Sequence, residues 1–310
     1  MIPSYHVERV ITVKQSKSKL KNILTDLRQM RKWSPWLIVE PDAKVTFNTL
    51  QGKVGAMQTW EGEMVGFGSL ELTEIHNNQL VYSLQFLKPF RSQSQVTFEL
   101  TSEDKATKVS WNMYGKMPWF LFFMTKVMKT YIGMDYERGL KMLKEYAETG
   151  KISSKLELFG EEKLEAIHYM GLKNSCLIQE IGEVMGRDFH SLGSHRETHQ
   201  VSNEYRLFSI YHQFDMMKDH TTFVSCMAID PDTEVAPPFI KGKIEPYRVL
   251  TVRHIGDYQH LGNAWSLAMN VVRSRKLRIN KKSFGYEFYL NSSHDLPPTE
   301  WITKIMIPLK

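Results

Sequence analysis

From residue 44 to residue 116 the chain alternates strand-like runs with turn-rich breakers. The runs lie near 44–49, 54–61, 66–75, 79–87, 94–101 and 106–116. The breakers are Gln51-Gly52, Gly62-Glu63, His76-Asn77-Asn78, Lys88-Pro89 and Glu103-Asp104, all rich in turn formers. Connections this short place each strand beside its predecessor, so the stretch reads as an antiparallel meander. An alternating, β-branched strand over 5–13 precedes it. Between the two lies a helical segment with Leu20, Ile23, Leu24 and Leu27 on one face, ended near Trp33-Ser34-Pro35-Trp36 by the proline. After Pro118 the period becomes helical, which predicts one long helix over 120–148, bent at Gly133.

That series accounts for half of a chain of 310 residues, and the length suggests two domains. Residues 147–154 read as a helix exit into a linker with Gly150 as its cap, so the expected domains are 1–150 and 155–310. Met1 to Val13 has no apolar signal region, and Cys176 and Cys226 define neither a disulfide framework nor a metal pair, so a cytoplasmic setting is expected. The longest apolar cluster, 117–124, falls short of the ~20 residues a membrane span needs. The net charge is +6, with much of the basic excess between Lys14 and Lys32. A solvated helix face explains that run better than a nucleic-acid surface, and no nucleic-acid-reading motif accompanies it.

The second half repeats an order of elements. The first unit reads as a strand over 164–171, a helix over 175–197 and strands over 204–212 and 221–229. The second reads as a strand over 247–255, a helix over 260–277 and strands over 283–290 and 299–308. Both are strand–helix–strand–strand, with a glycine after the first strand (Gly171, Gly256), separated by a proline-bearing connection over 231–245. The fold class is therefore α+β in both halves.

The opening strand, Lys32-Trp33-Ser34-Pro35-Trp36 and the long final helix of the first half resemble the polyketide cyclase/START-like superfamily. The resemblance implies a helix-grip fold, with an apolar cavity between a curved sheet and its C-terminal helix. Trp33, Trp36, Trp60, Tyr82 and Trp111, with Phe86 and Met113, are the lining candidates, against the plainer reading that they are core. Glu61 and Glu63 could pair as acid and base, although a turn is the usual place for exposed carboxylates.

In the second half, Val252-Arg253-His254-Ile255-Gly256-Asp257-Tyr258, Trp265, Gly285-Tyr286-Glu287-Phe288-Tyr289-Leu290 and Thr303-Lys304-Ile305-Met306-Ile307-Pro308 resemble the gyrase-inhibitor-like small-molecule-binding domain. That domain also serves as the effector-binding domain of AraC- and MerR-type regulators. The resemblance implies a pseudo-twofold pair of units around an aromatic pocket with an acid at its base, by position Glu287. A carboxylate among aromatic rings suits a desolvated cation, with cation–π attraction of ~0.5–2 kcal/mol per ring. The wall candidates are Tyr289, Tyr258, Trp265, Tyr169, Phe208 and Trp301, together with Tyr211 and Tyr286. Strand alternation puts Gly285 and Tyr289 on the face of Glu287, which favours Tyr289 over Tyr286.

The expected function is binding or sensing of an apolar or amphipathic small molecule, with cationic ones among the candidates. A role in transcription regulation would need a partner regulator, a homo-oligomer or sequestration, since no DNA reader is present and no direct nucleic-acid contact is expected. The competing class is a hydrolase or cyclase using Glu287 with Tyr289 or Tyr258 as acid and base. His190, His195 and His199 cluster, but their spacing favours an exposed helix end over a metal site. No phosphate loop or dinucleotide fingerprint occurs, so neither a metal nor a cofactor is expected.

Overall fold

The structure is a computed structural model that describes residues 4–88, 91–116, 123–199, 206–280, 284–291 and 295–310. Its backbone divides into two units, Met1–Ile152 and Ser153–Lys310. Both are mixed α and β, with antiparallel sheets, and the first has a long helix after its sheet.

In the first unit, β1 (Ser4–Val13) is followed by α1 (Lys17–Thr25) and α2 (Leu27–Met30). Ser16 caps α1 by accepting from the Lys19 backbone N–H. The meander then runs through β2 (Lys44–Phe47), β3 (Met57–Gly62), β4 (Gly66–Ile75), β5 (Gln79–Lys88), β6 (Ser92–Glu103) and β7 (Ala106–Lys116). The sheet order is β1-β7-β6-β5-β4-β3-β2, so the opening strand pairs with the last one. Helix α3 (Thr125–Thr149) closes the unit and ends at Gly150, whose φ of 82° suits a residue without a Cβ. The predicted start of this helix lies among residues 117–122, outside the described residues.

The Trp33-Ser34-Pro35-Trp36 turn is fastened to α3. The Trp36 indole N–H donates to Asp135 Oδ2 at 2.9 Å, and Arg138 joins Asp135 to the carbonyl of Pro35. Much of the basic run is tied down locally: Lys17 donates to Asn77 and Asn78, Lys21 to the His76 carbonyl, and Arg28 pairs with Asp26. Glu61 and Glu63 are exposed at the β3–β4 turn. It is Glu40 that organises this turn, accepting from the backbone N–H groups of Glu63, Met64 and Val65.

The second unit contains one more strand per repeat than the sequence pattern suggests. β8 (Ser154–Leu164), β9 (Ile167–Leu177), α4 (Ile181–His199), β10 (Leu207–Asp215) and β11 (His220–Ala228) make the first repeat. β12 (Ile240–Ile244), β13 (Tyr247–Gly256), α5 (Gly262–Ser274), β14 (Gly285–Tyr289) and β15 (Ile302–Pro308) make the second. The sheet order is β12-β9-β11-β10-β14-β15-β13-β8. It is symmetric about the central β10–β14 pair, and the leading strands are exchanged. β8 precedes β9 but pairs with β13, while β12 precedes β13 but pairs with β9. Each repeat thus seals the outer edge of the other. The glycine parallel does not hold: Gly256 ends β13, whereas Gly171 lies inside β9, which continues to Leu177 and delays α4 to Ile181.

Candidate functional site

Strand β14 sits at the centre of the eight-stranded sheet, and its alternation decides what surrounds Glu287. Gly285, Glu287 and Tyr289 share one face. Tyr286 and Phe288 point to the other, into a core with Phe208, Ile210, Val224 and Val249. Register completes the site: Glu287 lies opposite Ser209 of β10 and Ile305 of β15, and Gly285 lies opposite Tyr211. Gly285 also makes room for α5. A Cβ there would come within 2.6 Å of the Trp265 ring, so glycine lets the indole settle over the strand.

Glu287 is 4% exposed, which excludes a solvent-facing strand carboxylate. Its two oxygens receive three donors. Trp265 Nε1–H donates to Oε1 at 2.5 Å, while the hydroxyls of Tyr289 and Tyr211 donate to Oε2 at 2.8 and 3.1 Å. Burial raises the carboxyl above its ordinary pKa, and the three hydrogen bonds oppose that rise. The Tyr289 hydroxyl lies 3.3 Å from Ser209 Oγ, and both hydroxyls are 3.6 Å from Met185 Sδ on α4. Tyr211 and Tyr289 are pushed well up, first by burial and then by the Glu287 charge. Tyr258 is pushed up to about 12 by the same two causes.

Of the wall candidates, Tyr289, Trp265 and Tyr211 touch the carboxylate directly. Tyr258 meets Tyr289 edge-on at 5.7 Å and leans on Trp301 at 4.5 Å, so these two extend the aromatic wall outward. Tyr169 and Phe208 are a correction. Phe208 stacks on Phe288 at 4.9 Å and meets Tyr169 at 5.9 Å, so both occupy the opposite face of the sheet. The register explains this, because Ser209 rather than Phe208 faces the same side as Glu287. Ser209 and Met185 were not foreseen; only the β10–β14 register and the packing of α4 reveal them.

Beyond Tyr289, on the same face, lie Thr303 one strand over and His254 two strands over. Both are fully buried, and neither Thr303 Oγ1 nor His254 Nδ1 has a hydrogen-bond partner. His254 Nε2 is 3.0 Å from Ser154 Oγ, which also accepts from Asn263. Burial, with His260 adding, lowers the His254 pKa to about 4.

The first unit's candidates are arranged differently. Trp33, Tyr82 and Trp111 are buried in the core, and Trp36 and Trp60 are half-buried against it. Trp111 stacks on Tyr136 at 3.9 Å and on Phe98 at 4.9 Å, with Trp33 and Trp36 edge-on to it. Trp60 pairs with Phe86, and the Tyr82 hydroxyl donates to the Leu24 carbonyl.

Among the described residues no group of three or more His, Cys, Asp or Glu is placed to hold a metal, and no helix is long and apolar enough to cross a membrane. The His199 side chain lies outside the described residues. Cys176 and Cys226 are free thiols.

The chain thus joins a helix-grip unit to a duplicated unit with a buried, aromatic-lined acid. Residues 4–148 match the family described as polyketide cyclase / dehydrase and lipid transport, and residues 160–310 match the GyrI-like small molecule binding domain. Each half of the chain thus matches one of these two families, as the N- and C-terminal resemblances implied. No curated protein matches it. Solved structures similar to it include the EcmrR C-terminal domain, at 16% identity over 51% of this chain and 98% of that one, with a TM-score of 0.40. The EcmrR–DNA complex is also 16% identical, over 61% and 69%, with a TM-score of 0.40. TTHA0849 from Thermus thermophilus is 14% identical, over 47% and 99%, with a TM-score of 0.37.

Proposed function

We propose that the second unit binds an amphipathic small molecule carrying a cationic group, with Glu287 as its counter-charge, and that the chain acts as a sensor of such molecules. The observation that carries this reading is a buried carboxylate with three neutral donors and no lysine or arginine among the interactions that shift its pKa. A buried anion without a counter-ion is costly, and a desolvated cation would remove that cost. The aromatic wall of Tyr258, Tyr289 and Trp301 supplies rings for the same cation.

The donor set also suggests how binding is read out. Tyr211 and Tyr289 belong to the central strands, but Trp265 belongs to α5. A cation reaching Oε1 would compete with the Trp265 N–H for that oxygen, which would couple ligand occupancy to the position of α5. A regulatory role would pass this shift to a partner protein.

The test is titration calorimetry with tetraphenylphosphonium, a permanent aromatic cation, against neutral triphenylphosphine oxide. Glu287→Gln should weaken the cation about 100-fold, within the range for truncating one member of a buried charge pair, and leave the neutral ligand unchanged. Equal losses for both probes would sink the counter-charge role. Retained binding with loss of a measurable turnover would favour the hydrolase or cyclase reading, with Glu287 and Tyr289 as acid and base.

A further inference from the structure

The two repeats of the second unit correspond in element order and register. The short turn Ile178–Glu180 before α4 matches Tyr258–His260 before α5, and the cross-strand pair Asn174–Phe223 matches His254–Thr303. The same offset sets Asp188 of α4 against Ala268 of α5. In the first repeat the helix satisfies the sheet. Asp188 is buried, and its Oδ2 accepts from Asn174 Nδ2 at 2.8 Å and from Ser225 Oγ at 2.6 Å. In the second repeat Ala268 offers no acceptor, and Ile305 stands where the first has Ser225. His254 Nδ1 and Thr303 Oγ1 are left fully buried and without a hydrogen-bond partner. Unmet polar groups in an interior are rare because they are costly.

The surrounding bonds fix what these atoms can accept or give. Strand β13 lies between β15 and β8, so His254 has Thr303 on one side and the β8 strand, which begins at Ser154, on the other. Ser154 Oγ accepts from Asn263 Nδ2 at 3.1 Å and lies 3.0 Å from His254 Nε2. With the serine proton donated to Nε2, the neutral imidazole carries its hydrogen on Nδ1. Nδ1–H and the Thr303 hydroxyl are then two donors at the place where the first repeat supplies a carboxylate. That place adjoins the Glu287 site. Thr303 is directly opposite Tyr289, whose hydroxyl donates to Glu287, and Tyr258 and Trp301 continue the wall from Tyr289 to the start of β15. Helix α5 spans both places, bonded to Glu287 through Trp265 and to Ser154 through Asn263.

We propose that His254 Nδ1 and Thr303 Oγ1 form a second recognition point in the ligand site, which takes an ether or carbonyl oxygen of the ligand in place of the acceptor that α5 lacks. The proposal rests on the reading of Glu287 as counter-charge, and it narrows the ligand class to cations that carry a neutral acceptor oxygen on an arm. A neutral acceptor suits two neutral donors, whereas an anion would place a second uncompensated charge in the interior. Neighbouring strands lie about 4.8 Å apart, so an arm passing Tyr289 spans one to two strand spacings, about 5–10 Å.

The experiment is titration calorimetry of the full chain with methoxyalkyl triphenylphosphonium cations of increasing arm length, each against the alkyl cation of equal length. At the length that reaches the pair, the ether should bind about fivefold or more tighter than its alkyl match, as expected of one or two neutral hydrogen bonds. Thr303→Val, which keeps the side chain's shape, should abolish most of that preference. Ala268→Asn should do the same by supplying the acceptor from α5, as Asp188 does from α4. No preference for the ether at any length, or a preference that survives Thr303→Val, would overturn the proposal and assign the two donors to a structural water. Those results leave the counter-charge reading standing as long as Glu287→Gln weakens both cations. Cations that fail to bind, or that bind Glu287→Gln as well as the parent, overturn that reading and this proposal with it.

Discussion

In Met1–Ile152 the rings of Trp33, Phe98, Trp111 and Tyr136 meet one another; in Ser153–Lys310 the rings of Tyr211, Trp265 and Tyr289 meet a carboxylate. The raw materials are similar, aromatic side chains packed between an antiparallel sheet and helices. In the first interior the rings bury area against one another and reward close packing. In the second the rings' polar edges converge on Glu287, and the interior gains a charge that a ligand can answer. The difference predicts that substitutions in the first should cost stability, and substitutions in the second should change binding and pH response.

The largest effect should come from Trp111→Ala. Removing a buried ring that stacks on both Tyr136 and Phe98 should cost about 3–5 kcal/mol in chemical denaturation. Affinity for a lipophilic cation should not change. If it falls, the ligand site has been assigned to the wrong unit.

Next in size is the acid response of the second unit. His254 has a folded pKa lowered to about 4, from an ordinary value of 6.5. Between these values the unfolded chain binds the proton more readily, so stability is lost as pH falls through this window, by about 3 kcal/mol in total. His254→Gln should flatten that slope in denaturation midpoints measured at neutral and acid pH. Glu287 acts with the opposite sign. Its raised pKa means that the folded state holds the proton longer, so its contribution weakens as pH rises above 4.5. Glu287→Gln should therefore be at least as stable as the parent at neutral pH. Cation binding should weaken as pH falls through the raised pKa. The buried tyrosines of the first interior, Tyr82 and Tyr136, are shifted upward by burial and add no pH dependence of their own across the same range.

Much of this contrast was legible from residue order. The meander, the long helix and the doubled pattern follow from periodicity, and Gly285-Tyr286-Glu287-Phe288-Tyr289 shows by alternation which neighbour shares the carboxylate's face. The leading strands were not legible. β8 carries Lys155, Glu157, Glu161 and Lys163 and has no element in the sequence reading, and β12 is five residues long with two lysines and falls within the proline-bearing connection. Charge and shortness are what protect sheet edges, and both strands lie at an edge. Tyr169 and Phe208 were misplaced for a related reason. Residue type marks them as aromatic wall, but which face they take depends on pairing across strands, which no local pattern states.

Trp265→Phe should have the third effect, about 2 kcal/mol, because it deletes the single donor to Oε1 and leaves that oxygen buried and unmet. The loss should appear as reduced stability at neutral pH and a further rise of the Glu287 pKa, followed by carboxyl infrared absorption. If α5 transmits binding through this bond, the variant should also bind the cation more tightly, since the ligand no longer displaces a donor. An unchanged affinity would separate α5 from the site.

Tyr289→Phe should be the smallest change and the most discriminating. It removes the 2.8 Å donor to Oε2, but Tyr211 still donates to the same oxygen at 3.1 Å. The cost should therefore be about 1 kcal/mol, below that of a carboxylate left with no donor. The ring remains, so its packing against Phe189 and Tyr258 is kept, and a cation loses little of its aromatic contact. Under the binding reading, affinity should hold within about threefold, the factor that corresponds to well under 1 kcal/mol. Under the acid/base reading, the hydroxyl nearest the carboxylate is the proton partner, and turnover should fall by about 10²-fold or more while binding persists. Trp111 sets the scale for a ring that only packs; Tyr289→Phe leaves packing in place and removes only an O–H, so it asks whether this interior differs from the other in holding a charge or in moving a proton.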